Sequence, residues 1–207
     1  MWNNANYYPF SYFSSVNKAI YLMNIYNQLA FSRLPSAVLL DIDNTLYAYD
    51  LAHKAAYKAF KKKVKQTFSI ADSDIDENFN KAKIEIKNTL GNRAASHSRL
   101  LYIQRMLELL GLGSEPLLAL DFEQTYWRAF LTNAHLFPGV RDFLDNLRLL
   151  RIPVVAITDL TAQIQFRKII YFTLDRYFSF VVTSEEVCFD KPHPEIFKLA
   201  VKKIKPR

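Results

Sequence analysis

Three short runs of the chain are apolar at consecutive positions, as in strands that are covered on both faces. They are Ala37–Leu40, Ile152–Ile157 and, more weakly, Phe178–Val182. Strands of this kind lie in the middle of a parallel sheet. Helical patterns separate them, at Ala162–Phe172 between the second and third runs and at Val140–Leu150 before the second. The alternation of strand and helix predicts an α/β fold with a parallel sheet.

The long stretch between the first strand and the next helix and strand shows no strand pattern. Its apolar spacing predicts four helices, at Leu51–Phe68, Asp74–Leu90, Ala94–Leu110 and Ser114–Thr132. We therefore expect a helical insertion at residues 51–134 within an α/β core formed by residues 37–50 and 135–207.

Residues 1–36 form an aromatic N-terminal extension that contains no acidic residue. Apolar residues recur at helical intervals between Val16 and Phe31, which predicts an amphipathic helix packed on the body of the protein. A helix for self-association or for docking on a membrane surface is the alternative, although two cations are few for a membrane surface.

Composition narrows the function classes. Cys188 is the only cysteine, which excludes an intrachain disulfide and Cys/His zinc frameworks and favours the cytoplasm as the location. No apolar run approaches the roughly 18 residues of a membrane span. The net charge is +7, but the lysine-rich runs at 58–65 and 198–207 fall in helical patterns, where solvated faces are the usual explanation. We expect neither a nucleic-acid nor a membrane partner.

Two carboxylates, Asp41 and Asp43, follow the first strand directly. The carboxyl ends of parallel strands border the crevice where open α/β sheets bind ligands. Because the two residues alternate along the chain, both side chains can approach one ligand while Ile42 packs inward. In this position Asp41 is suited to attack phosphorus, and Asp43 is suited to donate and accept a proton.

The segment Asp41–Thr45 reads D-I-D-N-T and resembles the first motif, D-x-D-x-T, of the haloacid dehalogenase superfamily of phosphotransferases. Three further stretches agree with that superfamily in order and context. Phe137–Val140 is similar to the family's return from an α-helical cap, and Val154–Asp159 resembles the second motif, a strand that ends in Thr or Ser. Asp190–Phe197 resembles the third motif, with its lysine.

The resemblance implies a Rossmann-like core with an inserted helical cap, and Mg²⁺-dependent phosphatase chemistry. Asp41 would be the nucleophile that forms an aspartyl-phosphate, and Asp43 would be the general acid and base. Thr158 would donate its hydroxyl to a phosphoryl oxygen, and Lys191 would supply positive charge. Mg²⁺ would be held by the carboxylate of Asp41 and the main-chain carbonyl of Asp43, since hard oxygen ligands suit this ion.

The substrate implied by the resemblance is a small phosphorylated metabolite. Arg99 stands at a helix start that would face an anionic or hydroxyl-rich part of the substrate. The alternative is an ordinary solvated helix start, with Ser96 or Ser98 as the N-cap. Thr45 and Asp159 are the other substrate-binding candidates. Asp159 occupies a position where the family commonly has asparagine, and its charge would repel phosphate unless it is turned away or neutralised.

The family's fourth motif, one or two acidic residues after a further strand, has no counterpart in this sequence. Only Ile204–Arg207 follow the predicted helix at Pro194–Lys203, and they include no carboxylate. The first strand, Ala37–Leu40, would then lie at an edge of the sheet, which natural proteins usually cover. Three explanations compete: a truncated sequence, an edge covered by the N-terminal extension or by a second chain, and a family member that has lost catalysis.

Together these observations predict a Mg²⁺-dependent phosphomonoester hydrolase. The alternative is a catalytically degenerate binding or scaffold protein on the same fold. Because the fourth motif is absent, we expect weak or no turnover of generic phosphomonoesters such as p-nitrophenyl phosphate. Homo-oligomers would form through the N-terminal extension or the exposed sheet edge.

Overall fold

The computed structural model describes residues 34–204 of the 207-residue chain. The predicted helix at 16–31 lies outside the described residues. Three parallel strands form one sheet in the order β1-β2-β3, with β1 at Val38–Leu40, β2 at Val154–Thr158 and β3 at Phe178–Thr183. Four long α-helices, α1 to α4, lie in sequence between β1 and the helix before β2: Tyr49–Phe68, Asp72–Leu90, Arg99–Leu109 and Pro116–Thr132.

Helices on both faces of the sheet explain why its central strand is apolar throughout. All five residues of β2 are buried. Val155 and Ile157 pack with Ile196 on one face, and Val154 and Ala156 belong to the cluster on the other face. The remaining helices are α5 at Val140–Leu149, α6 at Ala162–Tyr171, the short α7 at Ser184–Val187 and α8 at Pro194–Ile204. The predicted parallel α/β fold is confirmed.

The helices between β1 and α5, residues 49–132, are here called the helical region. Helix α1 packs along α4, and α2 packs along α3. Aromatic side chains fill the space between them, since Phe60 lies with its ring centroid 5.3 Å from Phe79 and 6.1 Å from Phe122. The same hydrophobic cluster continues into the sheet face that carries Val154 and Ala156. One apolar core therefore connects the helical region to the sheet.

The structure corrects one predicted helix. The pattern at Ala94–Leu110 predicts a continuous helix, but a short 3₁₀ helix at Ala94–His97 ends before α3 begins at Arg99. Ser98 between them has an extended backbone, and its Oγ accepts a hydrogen bond from the main-chain N–H of Leu101 at 3.3 Å. Ser98 is thus the N-cap of α3, and capping in an extended conformation is incompatible with an uninterrupted helix.

Strand β1 lies at an edge of the sheet as far as residues 34–204 are concerned, because within that range it pairs only with β2. This placement agrees with the expectation for Ala37–Leu40. None of the helices in this part of the chain has the length and apolarity needed to cross a bilayer.

We expect the substitution Phe60→Ala to destabilise the protein by about 3–5 kcal/mol, because it opens a cavity in the aromatic core. Phe60 is completely buried, whereas Leu117 on α4 is 80% exposed. The control Leu117→Ala should change the free energy of unfolding by less than about 0.5 kcal/mol. Urea denaturation measures both values, and similar losses for the two variants would contradict this description of the core.

Candidate active site

The loop after β1 presents the two carboxylates of the first motif. Ile42 between them is buried in the core, and its carbonyl accepts a hydrogen bond from the N–H of Leu46 at 2.9 Å, which closes the loop. Asn44 has a left-handed backbone with φ of 59°, and its Oδ1 accepts a hydrogen bond from the N–H of Tyr49 at 2.9 Å. These hydrogen bonds hold the loop in a turn that carries Asp41 and Asp43 and leads directly into α1.

Asp41 pairs with the lysine of the third motif. The Nζ of Lys191 lies 2.6 Å from Asp41 Oδ1 and also donates a hydrogen bond to the carbonyl of Ile157 at 3.2 Å. The N–H of Ile42 donates to the same carboxylate oxygen at 2.8 Å. The Asp41 side chain remains 36% exposed. One oxygen is thus held by two donors, while the carboxylate as a whole stays accessible to a substrate.

Asp43 lies in a different environment, which the sequence did not predict. The Nζ of Lys168, on α6, is 2.8 Å from both of its carboxylate oxygens. Gln165 donates to Asp43 Oδ2 at 3.2 Å, and the Tyr47 hydroxyl donates to Oδ1. These three side chains fix the orientation of the carboxylate. Burial, with Asp43 next in importance, raises the pKa of Tyr47 far above its usual range, so its hydroxyl remains a donor.

Lys168 itself is almost inaccessible, with 1% of its side chain exposed. Its Nζ lies 5.6 Å from the ring centroid of Tyr49, 5.8 Å from that of Trp127 and 5.5 Å from that of Phe130. Aromatic faces attract a cation, and the attraction is larger where water is excluded. Burial lowers the pKa of Lys168, and the charge of Asp43 opposes that change. The pair therefore joins the loop after β1, helix α6 and the helical region.

The spacing of apolar residues in α6 indicates that Lys168 lies on the buried side of this helix. Its buried positions are Ile164, Gln165, Lys168 and Ile169, which recur at helical spacing. A lysine on the buried stripe of an amphipathic helix needs a partner, because an unpaired buried charge is costly. The sequence could therefore have indicated a buried ion pair, but it could not identify Asp43 as its other member.

The residues of the second motif lie beside the Asp41–Lys191 pair. Thr158, at the end of β2, is buried and directly follows Ile157, whose carbonyl contacts Lys191. Asp159 Oδ1 accepts a hydrogen bond from the main-chain N–H of Lys191 at 2.8 Å, and burial raises the pKa of Asp159. The carboxylate of Asp159 is thus hydrogen-bonded to the main chain of the third motif.

Residues of the helical region at the start of α3 also lie close to the third motif. His97 Nε2 lies 2.9 Å from Asp190 Oδ2, next to Lys191 in the chain. Arg99 donates hydrogen bonds to the carbonyl of His97 at 2.7 Å and to the hydroxyl of Tyr49, one of the rings around Lys168. Arg99 therefore approaches the site from the helical region. Thr45 is exposed in the loop after β1.

We expect Asp43→Asn to destabilise the protein by about 2 kcal/mol or more, because it leaves the charge of buried Lys168 without a carboxylate. Asp41→Asn should cost less than about 1 kcal/mol, since Asp41 is more exposed and Lys191 is less buried than Lys168. The double variant Asp43→Asn with Lys168→Met should recover most of the loss. Urea denaturation of the four proteins gives these values, and a double variant no more stable than Asp43→Asn would argue against the ion pair.

Two relatives named as phosphatases match most of this chain. A sequence related at 32% identity over 175 residues, covering 84% of this chain and 73% of the relative, is the ribulose-1,5-bisphosphate 5-phosphatase of Halopiger xanaduensis. The glyceraldehyde 3-phosphate phosphatase of Methanopyrus kandleri is 27% identical over 169 residues, covering 81% of this chain and 70% of the relative.

Solved structures show the same fold. A 2-haloacid dehalogenase from Pseudomonas syringae matches with a TM-score of 0.62 at 21% identity, over 81% of this chain and 71% of the other. The HAD-hydrolase YfnB from Bacillus subtilis, bound to magnesium, matches with a TM-score of 0.58 at 19% identity, over 83% and 74% of the two chains. The sequence model of the haloacid dehalogenase-like hydrolases matches residues 35–207, and the chain belongs to that family.

Proposed function

We propose that the protein is a phosphatase that removes the phosphate group of a small phosphorylated sugar through an aspartyl-phosphate at Asp41. The observation that carries this proposal is the combination of contacts and exposure at the Asp41 carboxylate. Its Oδ1 is held by Lys191 and by the N–H of Ile42, while the side chain is still 36% exposed. A carboxylate that is fixed at one oxygen and still partly exposed is suited to in-line attack on phosphorus.

The proposed reaction has two steps. In the first, an oxygen of Asp41 bonds to phosphorus, the bond from phosphorus to the sugar oxygen breaks, and the carboxyl group of Asp43 gives that oxygen its proton. In the second, water bonds to phosphorus, Asp43 takes a proton from this water, and the bond to Asp41 breaks to release inorganic phosphate. Tyr47, Gln165 and Lys168 hold the ionised Asp43 carboxylate in the orientation from which it takes a proton from water in the second step.

The remaining polar groups stabilise the transferring phosphoryl group. Lys191 carries positive charge beside Asp41. The hydroxyl of Thr158 would donate to a phosphoryl oxygen in place of its long hydrogen bond to the carbonyl of Asp159, at 3.4 Å. Most of the catalysis in phosphoryl transfer comes from positioning and from stabilisation of this charge.

We propose Mg²⁺ as the cofactor, held by the Asp41 carboxylate and the main-chain carbonyl of Asp43. Residues 34–204 contain no group of three or more His, Cys, Asp or Glu side chains placed to hold a metal ion. The donors fit Mg²⁺ nonetheless, because this ion commonly keeps several waters and takes one or two carboxylates together with substrate phosphate. When bound, Mg²⁺ would neutralise charge on the phosphoryl oxygens.

The substrate class rests on the two curated relatives, which are named for phosphatase activity on sugar phosphates. We propose that residues 51–134 act as a cap over the phosphoryl site. Arg99 would face the substrate from the cap, with Thr45 on the loop after β1. Asp159 would position Lys191 through its hydrogen bond to the Lys191 N–H.

Asp41→Asn tests this function. Phosphate release from ribulose 1,5-bisphosphate and from glyceraldehyde 3-phosphate with Mg²⁺ should fall at least about 10³-fold, because the nucleophile is lost. Calorimetric titration with Mg²⁺ and beryllofluoride should show binding to the original chain and none to the variant. The control Asp175→Asn alters an exposed carboxylate outside the site and should leave both results unchanged.

A chain that binds neither Mg²⁺ nor beryllofluoride, and releases no phosphate, would contradict the proposal. That result would favour the non-catalytic binding protein that the sequence also allowed.

A further inference from the structure

A cavity of about 310 Å³ lies within the helical region, apart from the residues that contact Asp41 and Asp43. Helices α1, α2 and α3 supply its walls. Its charged and titratable residues are His53, Tyr57, Lys61, Asp76, Lys83, Arg99 and Tyr102. A cavity of this size is large enough for part of a small metabolite.

Cations dominate the lining, and the single carboxylate is already engaged. Asp76 lies 3.0 Å from Lys61 Nζ and accepts a hydrogen bond from the Tyr57 hydroxyl at 2.7 Å. Arg99 donates to two neutral oxygens, those of His97 and Tyr49. Within residues 34–204, neither Arg99 nor Lys83 forms a salt bridge. Positive charge in this cavity therefore exceeds negative charge.

The surroundings of the cationic groups would favour an anion in the cavity. Arg99 lies among the rings of Tyr102, Tyr126 and Trp127, at 5.6 to 5.8 Å from their centroids. Burial lowers the pKa of Lys83, and the charges of Lys87 and Arg99 lower it further. Burial also lowers the pKa of His53, with Arg99 and Lys83 as further causes. An anion in the cavity would stabilise the charged form of each of these groups, because opposite charges attract.

One residue of the cavity lining, Arg99, is linked to the surroundings of Asp43 through Tyr49. Arg99 bonds to the hydroxyl of Tyr49, and the Tyr49 ring lies 5.6 Å from Lys168, the partner of Asp43. His53 and Tyr57 follow Tyr49 on the next two turns of α1 and line the cavity. At a rise of 1.5 Å per residue, they lie roughly 6 and 12 Å along the helix axis from Tyr49. The cavity therefore lies along α1 beyond Tyr49, within the helical region.

We propose that this cavity binds a second phosphate group of the substrate, with Arg99 and Lys83 as its ligands. The inference rests on the proposed phosphatase function and narrows its substrate to sugars with phosphates at both ends. Arg99 presents a planar fork of donors, which suits phosphate oxygens, and Lys83 adds a mobile charge from the opposite wall. The second phosphate would hold the substrate while the first is attacked.

The test compares Lys83→Met with Lys81→Met. Both lysines are exposed on α2, but Lys83 lines the cavity and Lys81 does not, so neither change endangers folding. The substrates are ribulose 1,5-bisphosphate and ribulose 5-phosphate. Lys83→Met should raise KM for the bisphosphate about 5- to 20-fold with little change in kcat, because it removes binding common to ground and transition states. KM for the monophosphate should change less than twofold, and Lys81→Met should change neither.

A binding measurement separates this inference from the proposed reaction. Ribulose 1,5-bisphosphate is titrated into the Asp41→Asn chain, with and without Lys83→Met, and inorganic phosphate serves as a second probe. Loss of bisphosphate affinity with Lys83→Met supports the cavity site even if no protein variant releases phosphate. Hydrolysis that is normal in Lys83→Met for both substrates would overturn the cavity site and leave the phosphatase intact. Equal weakening of inorganic phosphate and the bisphosphate would also overturn it, because the cavity would then bind any free anion.

Discussion

The ion pair between Lys168 and Asp43 determines how the parts of this molecule meet. Its lysine comes from α6 on the sheet, its carboxylate from the loop after β1, and the three rings around the lysine from the helical region. A buried charge of this kind is tolerated only with a well-placed partner. The pair therefore requires the loop, α6 and the helical region to keep one relative arrangement, which is the arrangement the site needs.

Asp41 and Asp43, two residues apart in the chain, therefore have different surroundings. Asp41 is half-exposed and shares one oxygen with Lys191, whereas Asp43 is held by Lys168, Gln165 and Tyr47. An accessible carboxylate is suited to nucleophilic attack, and an oriented one is suited to proton transfer. Tyr49 links this site to the cationic cavity, because its ring faces Lys168 and its hydroxyl accepts from Arg99. Tyr49 thus contacts both Lys168, the partner of Asp43, and Arg99, which lines the cavity.

Short-range patterns predicted the elements well. The strands and α4 to α6 were predicted to within a few residues, because apolar periodicity reflects local geometry. The helix predicted at Ala94–Leu110 was wrong at one point, since Ser98 uses its hydroxyl to cap α3 and interrupts the apolar pattern. The pairing of His97 with Asp190 was also missed, because the two residues are 93 positions apart and neither pattern alone indicates the contact.

The sequence by itself determined the parallel α/β core, the run of helices between β1 and α5, and the placement of Asp41, Asp43 and Thr158 at or directly after the end of a strand. These features depend on the order of residues and on the chain direction of parallel strands, which meet with their carboxyl ends at one edge. Tertiary structure alone decided that Lys168 is the partner of Asp43, and it brought the cations of three helices around one cavity. Side chains far apart in the chain choose partners by distance and by exclusion of water, and neither quantity is encoded in spacing along the sequence.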